Sequence, residues 1–307
     1  MVTTAASAPA SPARGFHDGE LLVQRRAGVD LEARRLERML DLPDLSGGAE
    51  RFLADRTFAV LTGRGSDGRL WTSPLRGPVG FLRGSGRTLR IATLPAEGDP
   101  LNSRSVGEQV GLVAIEFSAR RRVRVNGRLS SVGTDWMEID VDQAFGNCPQ
   151  YISRRSFVPV GSTADDQGQV ELGEGLSDED RAMIGAADTF FLGTSHPERG
   201  ADSSHRGGPS GFVTTDGAQL WWPDLPGNNM FNSLGNLAVD PAAALLFVDW
   251  TDGTVLALSG TAEVEWYDAD GSDGETGRRV RFTPEAVVRR RDSALRAVDA
   301  SRESSTR

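Results

Sequence analysis

Apolar residues along this chain are gathered into short runs, and the runs are cut by Gly, Pro, Asn and Asp. FAVLTG at residues 58–63, GLVAIEF at 111–117, TFFLGT at 189–194 and ALLFVDW at 244–250 are the clearest. Runs of about 5–8 residues bounded by such breakers indicate strands rather than helices. GRGSDGR at 63–69 and WTDGT at 250–254 carry the residues that hairpin connections require. Shorter strands are read at 88–93 and 219–222, and residues 278–288 alternate like one more strand. Leu and Met fall at helical spacing among Arg and Glu in residues 31–40, which predicts an amphipathic helix packed on the first half of the chain. Two further short helices, at 48–55 and 177–187, each lead into an apolar strand. The fold class expected is mainly β with short helices (α+β), the strands forming small closed or partly open antiparallel barrels.

The pattern occurs twice. Residues 57–132 and 189–264 run in parallel: Phe58 matches Phe190, Gly77-Pro78 matches Gly208-Pro209, Asn102-Ser103 matches Asn232-Ser233, and VRVNGRLSSV matches LALSGTAEV. The offset stays between 130 and 133 residues. Chance similarity rarely holds one register over so many separate points, so two tandem copies of one barrel unit are expected. The boundaries read are a disordered leader at 1–15, a first unit at 16–162 and an acidic linker and helix start at 163–180. A second unit follows at 181–288, with a flexible tail at 289–307.

Composition narrows the function classes. No apolar run approaches the roughly 18–20 residues needed to span a bilayer, and the Ala/Ser/Pro-rich start has no apolar core of a secretory signal. A cytoplasmic location is the expectation. The single Cys148 excludes a disulfide framework or a cysteine metal cluster. The net charge of −9 argues against nucleic acid as the main partner. Every one of the 34 cations is an arginine, so a phosphate site must use Arg, Ser, Asn, His or backbone amides, and no Schiff-base lysine exists. His17, His196 and His205 are scattered, and no spacing of His, Asp and Glu suggests a metal.

The second copy is the richer in candidate chemistry. SSHRGG at 203–208 follows its first strand and leads into GFV, and WWPDLPGNNMFNSLGNL spans 221–237. Asn228, Asn229, Asn232 and Asn236 gather around a helix start, where exposed amides favour an anion. An arginine on the neighbouring strand can add a bidentate phosphate contact, and the adjacent tryptophans can wall an aromatic ring. Ordinary capping and core packing explain the same residues singly; their combination with Arg206 is what points to a site.

Strand–turn–strand with Ser204-His205-Arg206, an aromatic strand end, a polar helix start and NLAVDPAAALLFVDW together resemble the pyridoxamine 5′-phosphate oxidase superfamily. That resemblance implies FMN-binding split barrels, here two in tandem forming a pseudo-dimer, and an oxidoreductase. It implies cofactor contacts from Ser204, His205 and Arg206, from Pro223 and Asp224 at a strand end, and from Asn228, Asn229 and Asn232. Within the superfamily the chain is similar to a tandem-barrel group carrying FGNCPxYI, here residues 145–152, and FHDGEL at 16–21 matches that group as well. Asn147 and Gln150 of this motif reach the second copy's flavin on one reading; on the other, the segment is a structural turn with a buried thiol at Cys148. His205 is the one candidate for a role beyond binding.

The helix-start Arg-Lys pair and the C-terminal Arg-x-His of true pyridoxamine phosphate oxidases are absent, so another small-molecule substrate is expected. An external electron donor or acceptor is implied, and a homodimer is possible in such folds. The first copy keeps Arg76 and Asn102-Ser103-Arg104 but lacks the histidine and the asparagine cluster, so one site kept and one lost is expected. Two rival readings stand beside the FMN oxidoreductase: a flavin carrier or sensor without turnover, and a split barrel using deazaflavin or haem.

Overall fold

The computed structural model describes residues 15–41, 43–146, 149–158, 170–268 and 276–299. Two antiparallel sheets dominate it. The first copy contributes β1 (Phe58–Arg64), β2 (Leu70–Arg76), β3 (Leu82–Ser85), β4 (Thr88–Ile91), β5 (Gln109–Glu116), β6 (Arg121–Val132) and β7 (Met137–Gly146). Two short strands follow, β8 (Arg155–Phe157) and β9 (Glu171–Gly173). The second copy contributes β10 (Thr189–His196), β11 (Gly200–Gly207), β12 (Thr214–Asp216), β13 (Gln219–Pro223), β14 (Ala242–Val248), β15 (Thr254–Trp266) and β16 (Arg278–Arg291), and β17 (Ala297–Asp299) ends the described chain. Helices α1 (Asp18–Ala27), α2 (Asp30–Arg34), α3 (Gly48–Ala54), α4 (Asp178–Ala186) and α5 (Asn232–Leu237) are short.

The strand order is β2-β1-β5-β6-β7-β4-β3 in one sheet and β11-β10-β14-β15-β16-β13-β12 in the other. Exchanging each strand for its counterpart converts one order into the other. Contacts between the sheets obey the same exchange: β5 packs on β11 as β14 packs on β2, and β6 meets β11 as β15 meets β2. Such reciprocal pairing is the signature of a two-fold interface, here inside one chain.

The crossings are tight because glycine lines them. A Cβ on Gly111 of β5 would lie 2.7 Å from backbone atoms of Ala201, Asp202 and Ser203 on β11. Overpacking of that kind costs about 1–3 kcal/mol. Gly111→Ala should therefore lower the urea midpoint at unchanged slope, whereas Gly185→Ala on α4, where an added methyl meets nothing within 4 Å, should not. One hydrophobic core joins both copies, with Phe58, Leu112 and Phe117 packed among Phe191, Leu246 and Val255. A second, with Phe190, Phe212, Trp222 and Phe247, lies in the second copy and takes in Val23 from α1.

Several expectations change. Residues 31–40 do not form one helix: α2 stops at Arg34 and a 3₁₀ turn covers Glu37–Leu40. Ala33 and Leu40 bury themselves with Phe16, Phe145 and Met230, so this segment bridges both copies rather than resting on the first alone. Residues 137–146, for which no strand is read above, form β7, in which Met137, Ile139 and Val141 are buried while Glu138 and Asp140 lie between them. Within the segment read as a linker, β9 adds to the edge of β16. The segment read as a tail is ordered up to Asp299: β16 runs on to Arg291, Leu295 is fully buried, and β17 pairs with β8. Among the described residues no helix is long and apolar enough to cross a membrane.

Candidate functional site

Eight of the candidate residues line one cleft: Gln150, His205, Arg206, Pro223, Asp224, Asn228, Asn229 and Asn232. They come from four separate places. Strand β11 carries His205 and Arg206; the end of β13 carries Pro223 and Asp224. The loop that follows carries the asparagines, and the segment crossing from the first copy carries Gln150. Ser204 lies beneath the cleft, fully buried, its hydroxyl accepting a 2.8 Å hydrogen bond from Arg124. Asn147 and Cys148 lie outside the described residues.

The first copy adds what the sequence reading missed. Arg122 and Arg124 sit two residues apart on β6, so the pleat turns both to one face, and both line the cleft. Arg124 bonds Asp202 at 3.0 Å and Ser204, while Asp202 also accepts from Asn126 (3.1 Å) and Ser233 (3.2 Å). Alternation of arginine with valine in RRRVRV was the available signal. Tyr151, Phe212, Trp222 and Phe231 supply aromatic wall. Only one of the paired tryptophans does so, because Trp221 faces the other side of β13, under the guanidinium groups of Arg279 and Arg281.

His205 is buried, edge-on to Phe191 (5.7 Å) and Phe117 (6.3 Å). Arg122 Nη1 lies 2.9 Å from its Nδ1. A guanidinium only donates, so Nδ1 accepts and the proton of the neutral ring is on Nε2. Burial, followed by the charges of Arg122, Arg155, Arg206 and Arg124, holds His205 well below the ordinary histidine range. It is a neutral N–H donor, with no lone pair left for iron or another metal.

Asp224 is committed to arginines. Its carboxylate accepts from Arg278 Nε at 2.9 Å and lies 3.5 Å from Arg206 Nη1, so it holds Arg206 rather than presenting itself to a ligand. Asn232 is likewise engaged, donating to Glu20 Oε1 at 2.5 Å. Arg124 Nε, Arg206 Nε and His205 Nε2 are buried N–H groups of cleft residues with no acceptor among the described residues. Buried donors are rarely left so, and an anionic oxygen cluster is the acceptor that would satisfy them. The phosphate of a flavin mononucleotide fits that demand.

Backbone strain gathers at the same place. Among the described residues four non-glycines have left-handed φ, and three of them, Tyr151 (61°), Asn229 (59°) and Phe231 (59°), line this cleft. Such conformations cost of order 1–3 kcal/mol each and persist where surrounding structure imposes them.

The corresponding place in the first copy is filled. By the shared register β2 offers Leu75 and Pro74, opposite Ala59 and Val60, where β11 offers Arg206 and His205 opposite Phe190 and Phe191, so Arg76 matches Gly207 rather than Arg206. The counterparts of Arg122 and Arg124 on β15 are Val255 and Ala257, and they pack with Leu75 and Leu295 in the shared core. Arg76 lies 4.0 Å from Asp292, and Arg104 is paired with Glu108 at 3.1 Å.

Two histidines are not scattered after all. His17 and His196 have ring centroids 4.3 Å apart, with Asp18 Oδ1 3.3 Å from His196 Nε2. His196 Nδ1 accepts from the backbone N–H groups of Glu198 and Arg199, so its proton is on Nε2 and is given to Asp18. A metal-bound histidine donates its other ring N–H outward; this one cannot, and the trio caps α1 and a hairpin instead.

Residues 176–298 match the family model described as Pyridoxamine 5'-phosphate oxidase. The likeness to the pyridoxamine 5′-phosphate oxidase family is thus carried by the second half of the chain. No curated protein sequence matches it. Among solved structures, a Clostridium acetobutylicum protein of the pyridoxinephosphate oxidase family, related to general stress protein 26, is 16% identical. It covers 39% of this chain and 89% of its own, with a TM-score of 0.28. A FAD-binding protein of Mesorhizobium loti is 13% identical over 40% of this chain and 99% of its own, with a TM-score of 0.29. The heme storage protein HutZ of Vibrio cholerae is 12% identical over 38% of this chain and 95% of its own, also with a TM-score of 0.29. The match of the superfamily's sequence model covers β10 to β16, and with them every cleft residue that belongs to the second copy.

Proposed function

We propose that this protein is an FMN-dependent oxidoreductase built from two tandem split barrels, with one cofactor site per chain at the cleft between them. The observation that carries the reading is the meeting, at one aromatic-walled cleft, of buried donors from both copies that have no acceptor among the described residues, Arg124 Nε, Arg206 Nε and His205 Nε2. Arg206, steadied by Asp224, and Arg124, steadied by Asp202, hold the phosphate. Trp222, Phe231 and Tyr151 offer faces for the ring system, and Gln150 and the asparagines offer amides for its polar edge. FMN supplies hydride or electron chemistry when bound; the protein binds, orients and excludes water. No carboxylate among the cleft residues is free to act as a base, since Asp224 is tied to two arginines. The substrate is a small molecule other than the vitamin B6 ester, the electrons come from or go to an external partner, and the setting is cytoplasmic.

The test is reconstitution. Apo-protein titrated with FMN, FAD and haem should retain FMN at one equivalent per chain, identified by mass spectrometry after heat release. Retention of two equivalents would overturn the single-site model. A Soret band with no flavin bound would overturn the cofactor. Anaerobic bleaching of bound FMN by NADH or NADPH, reversed by air, separates an oxidoreductase from a carrier.

A further inference from the structure

Helix α1 docks on α5, more than two hundred residues away in sequence and at the edge of the cleft. The approach is close: a Cβ on Gly19 would collide with the Gly235 carbonyl oxygen, and one on Gly235 would lie 2.6 Å from Glu20 N. At this crossing the fully buried Glu20 accepts from Asn232 Nδ2 with Oε1 and from its own helix cap, His17 N, with Oε2 at 2.8 Å. One turn further, Gln24 Nε2 donates to the carbonyl of Met230 at 3.2 Å, in a buried bond. Met230 itself is fully enclosed by Phe16, Ala33, Leu40 and Phe145. Residues 228–232, which supply three asparagines and two left-handed residues to the cleft, are thus gripped from their outer side by residues 16–40.

The geometry points to Glu20 and Gln24 as positioning residues of the cleft: α1 is a strap that imposes the left-handed backbone at Asn229 and Phe231 and so presets the loop for its ligand. The inference rests on the cleft being the cofactor site. The strap touches no cleft donor of the phosphate group; it acts by removing freedom that the loop would otherwise lose on binding. Sequence locality explains the device. Left-handed Asn and Phe two residues apart are not stable on local terms, and α5, only six residues long, cannot anchor the loop by itself.

Protonation tunes the strap. Burial pushes the Glu20 carboxyl up to about 7, against the lowering effects of the His17 amide, Asn232 and Arg199, with Asp202 adding to the rise. His17 and Asp18 on its own helix and His196 on β10 are the other titratable groups nearby. An acid whose value is raised on docking prefers to dock protonated, so docking is tightest below the free value of about 4.5 and weakens as pH rises through about 7.

The experiment compares Gly19→Ala, Glu20→Gln and, as a control on exposed α1 surface, Arg25→Ala. Amide exchange of residues 228–232 in apo-protein is read across pH, together with FMN dissociation from reconstituted protein. Gly19→Ala should speed loop exchange and raise the FMN off-rate by about tenfold or more, with Arg25→Ala unchanged. Once the intrinsic pH dependence of amide exchange is divided out, Glu20→Gln should flatten the rise in loop opening that the parent protein shows between about pH 4.5 and 7. Unchanged loop exchange in Gly19→Ala, with α1 itself shown to be released, would overturn the strap. If the protein binds no FMN, the exchange measurement still decides the strap, and the cofactor reading alone falls.

Discussion

Arg206→Ala should weaken FMN binding by about 10- to 150-fold, the worth of about 1.5–3 kcal/mol for a charge-assisted hydrogen bond to phosphate. The fold should survive, because the carboxylate that Arg206 faces does not depend on it. Asp224 keeps its 2.9 Å bond to Arg278, which is itself buried between Asp224 and the rings of Phe231 and Trp266. Arg206→Lys should recover only part of the affinity: it restores charge but not the buried Nε–H that has no acceptor among the described residues. Fluorescence titration measures the constant, and repeating it at raised salt should narrow the gap between parent and variant. Equal FMN affinity in Arg206→Ala would sink the phosphate assignment. A comparable loss from Arg76→Ala would sink the single-site model, since that side chain sits beside Asp292 in the filled counterpart.

The second large effect is on stability and comes from the other side of the cleft. Arg124→Met should cost about 3 kcal/mol of unfolding free energy, near the lower end of what is lost when one partner of a buried ion pair is removed. The lower end applies because Asp202 retains Asn126 and Ser233 as donors. The pair itself need not be stabilising against an apolar pair of the same volume. Adding Asp202→Asn to Arg124→Met should accordingly recover much of the loss, since a neutral amide is far cheaper to bury than a stranded carboxylate. FMN binding should not recover, since the guanidinium is gone. Urea denaturation of the two single variants and the double variant forms a cycle whose coupling term reads the pair directly. Additive effects would show that Asp202 does not depend on Arg124.

How much of this was readable beforehand varies with the range of the interaction. Gly77-Pro78 and Gly208-Pro209, and the apolar runs around Leu112 and Leu245, occupy equivalent places in two sheets of one order, as their spacing implied, while Phe190 takes the place of Ala59 rather than of Phe58. The asparagines and Arg206 meet in one cleft because strand, turn and helix start are neighbours in sequence. Arg122 and Arg124 were not readable as site residues. They are more than eighty residues from His205 and lie on the other copy, and only the pseudo-two-fold crossing of β6 over β11 unites them. Asp224 was readable as present but not as neutralised, because Arg278 reaches it across the sheet from β16. The histidine pair failed for the same reason, with His17 on α1 and His196 on β10.

By itself, then, the sequence determined the strands, their two-fold repetition and the richer second copy, because hydrophobic alternation, turn residues and register are local or periodic properties of a chain. Tertiary structure alone decided that the cleft is composite, that its counterpart is plugged by Val255, Ala257 and Leu295, and that an amino-terminal helix grips its loop. Those outcomes depend on which faces meet when one sheet crosses another, and glycines at Gly19, Gly111 and Gly235 set how closely they meet. A residue's partner across such a crossing leaves no spacing in the sequence to find it by.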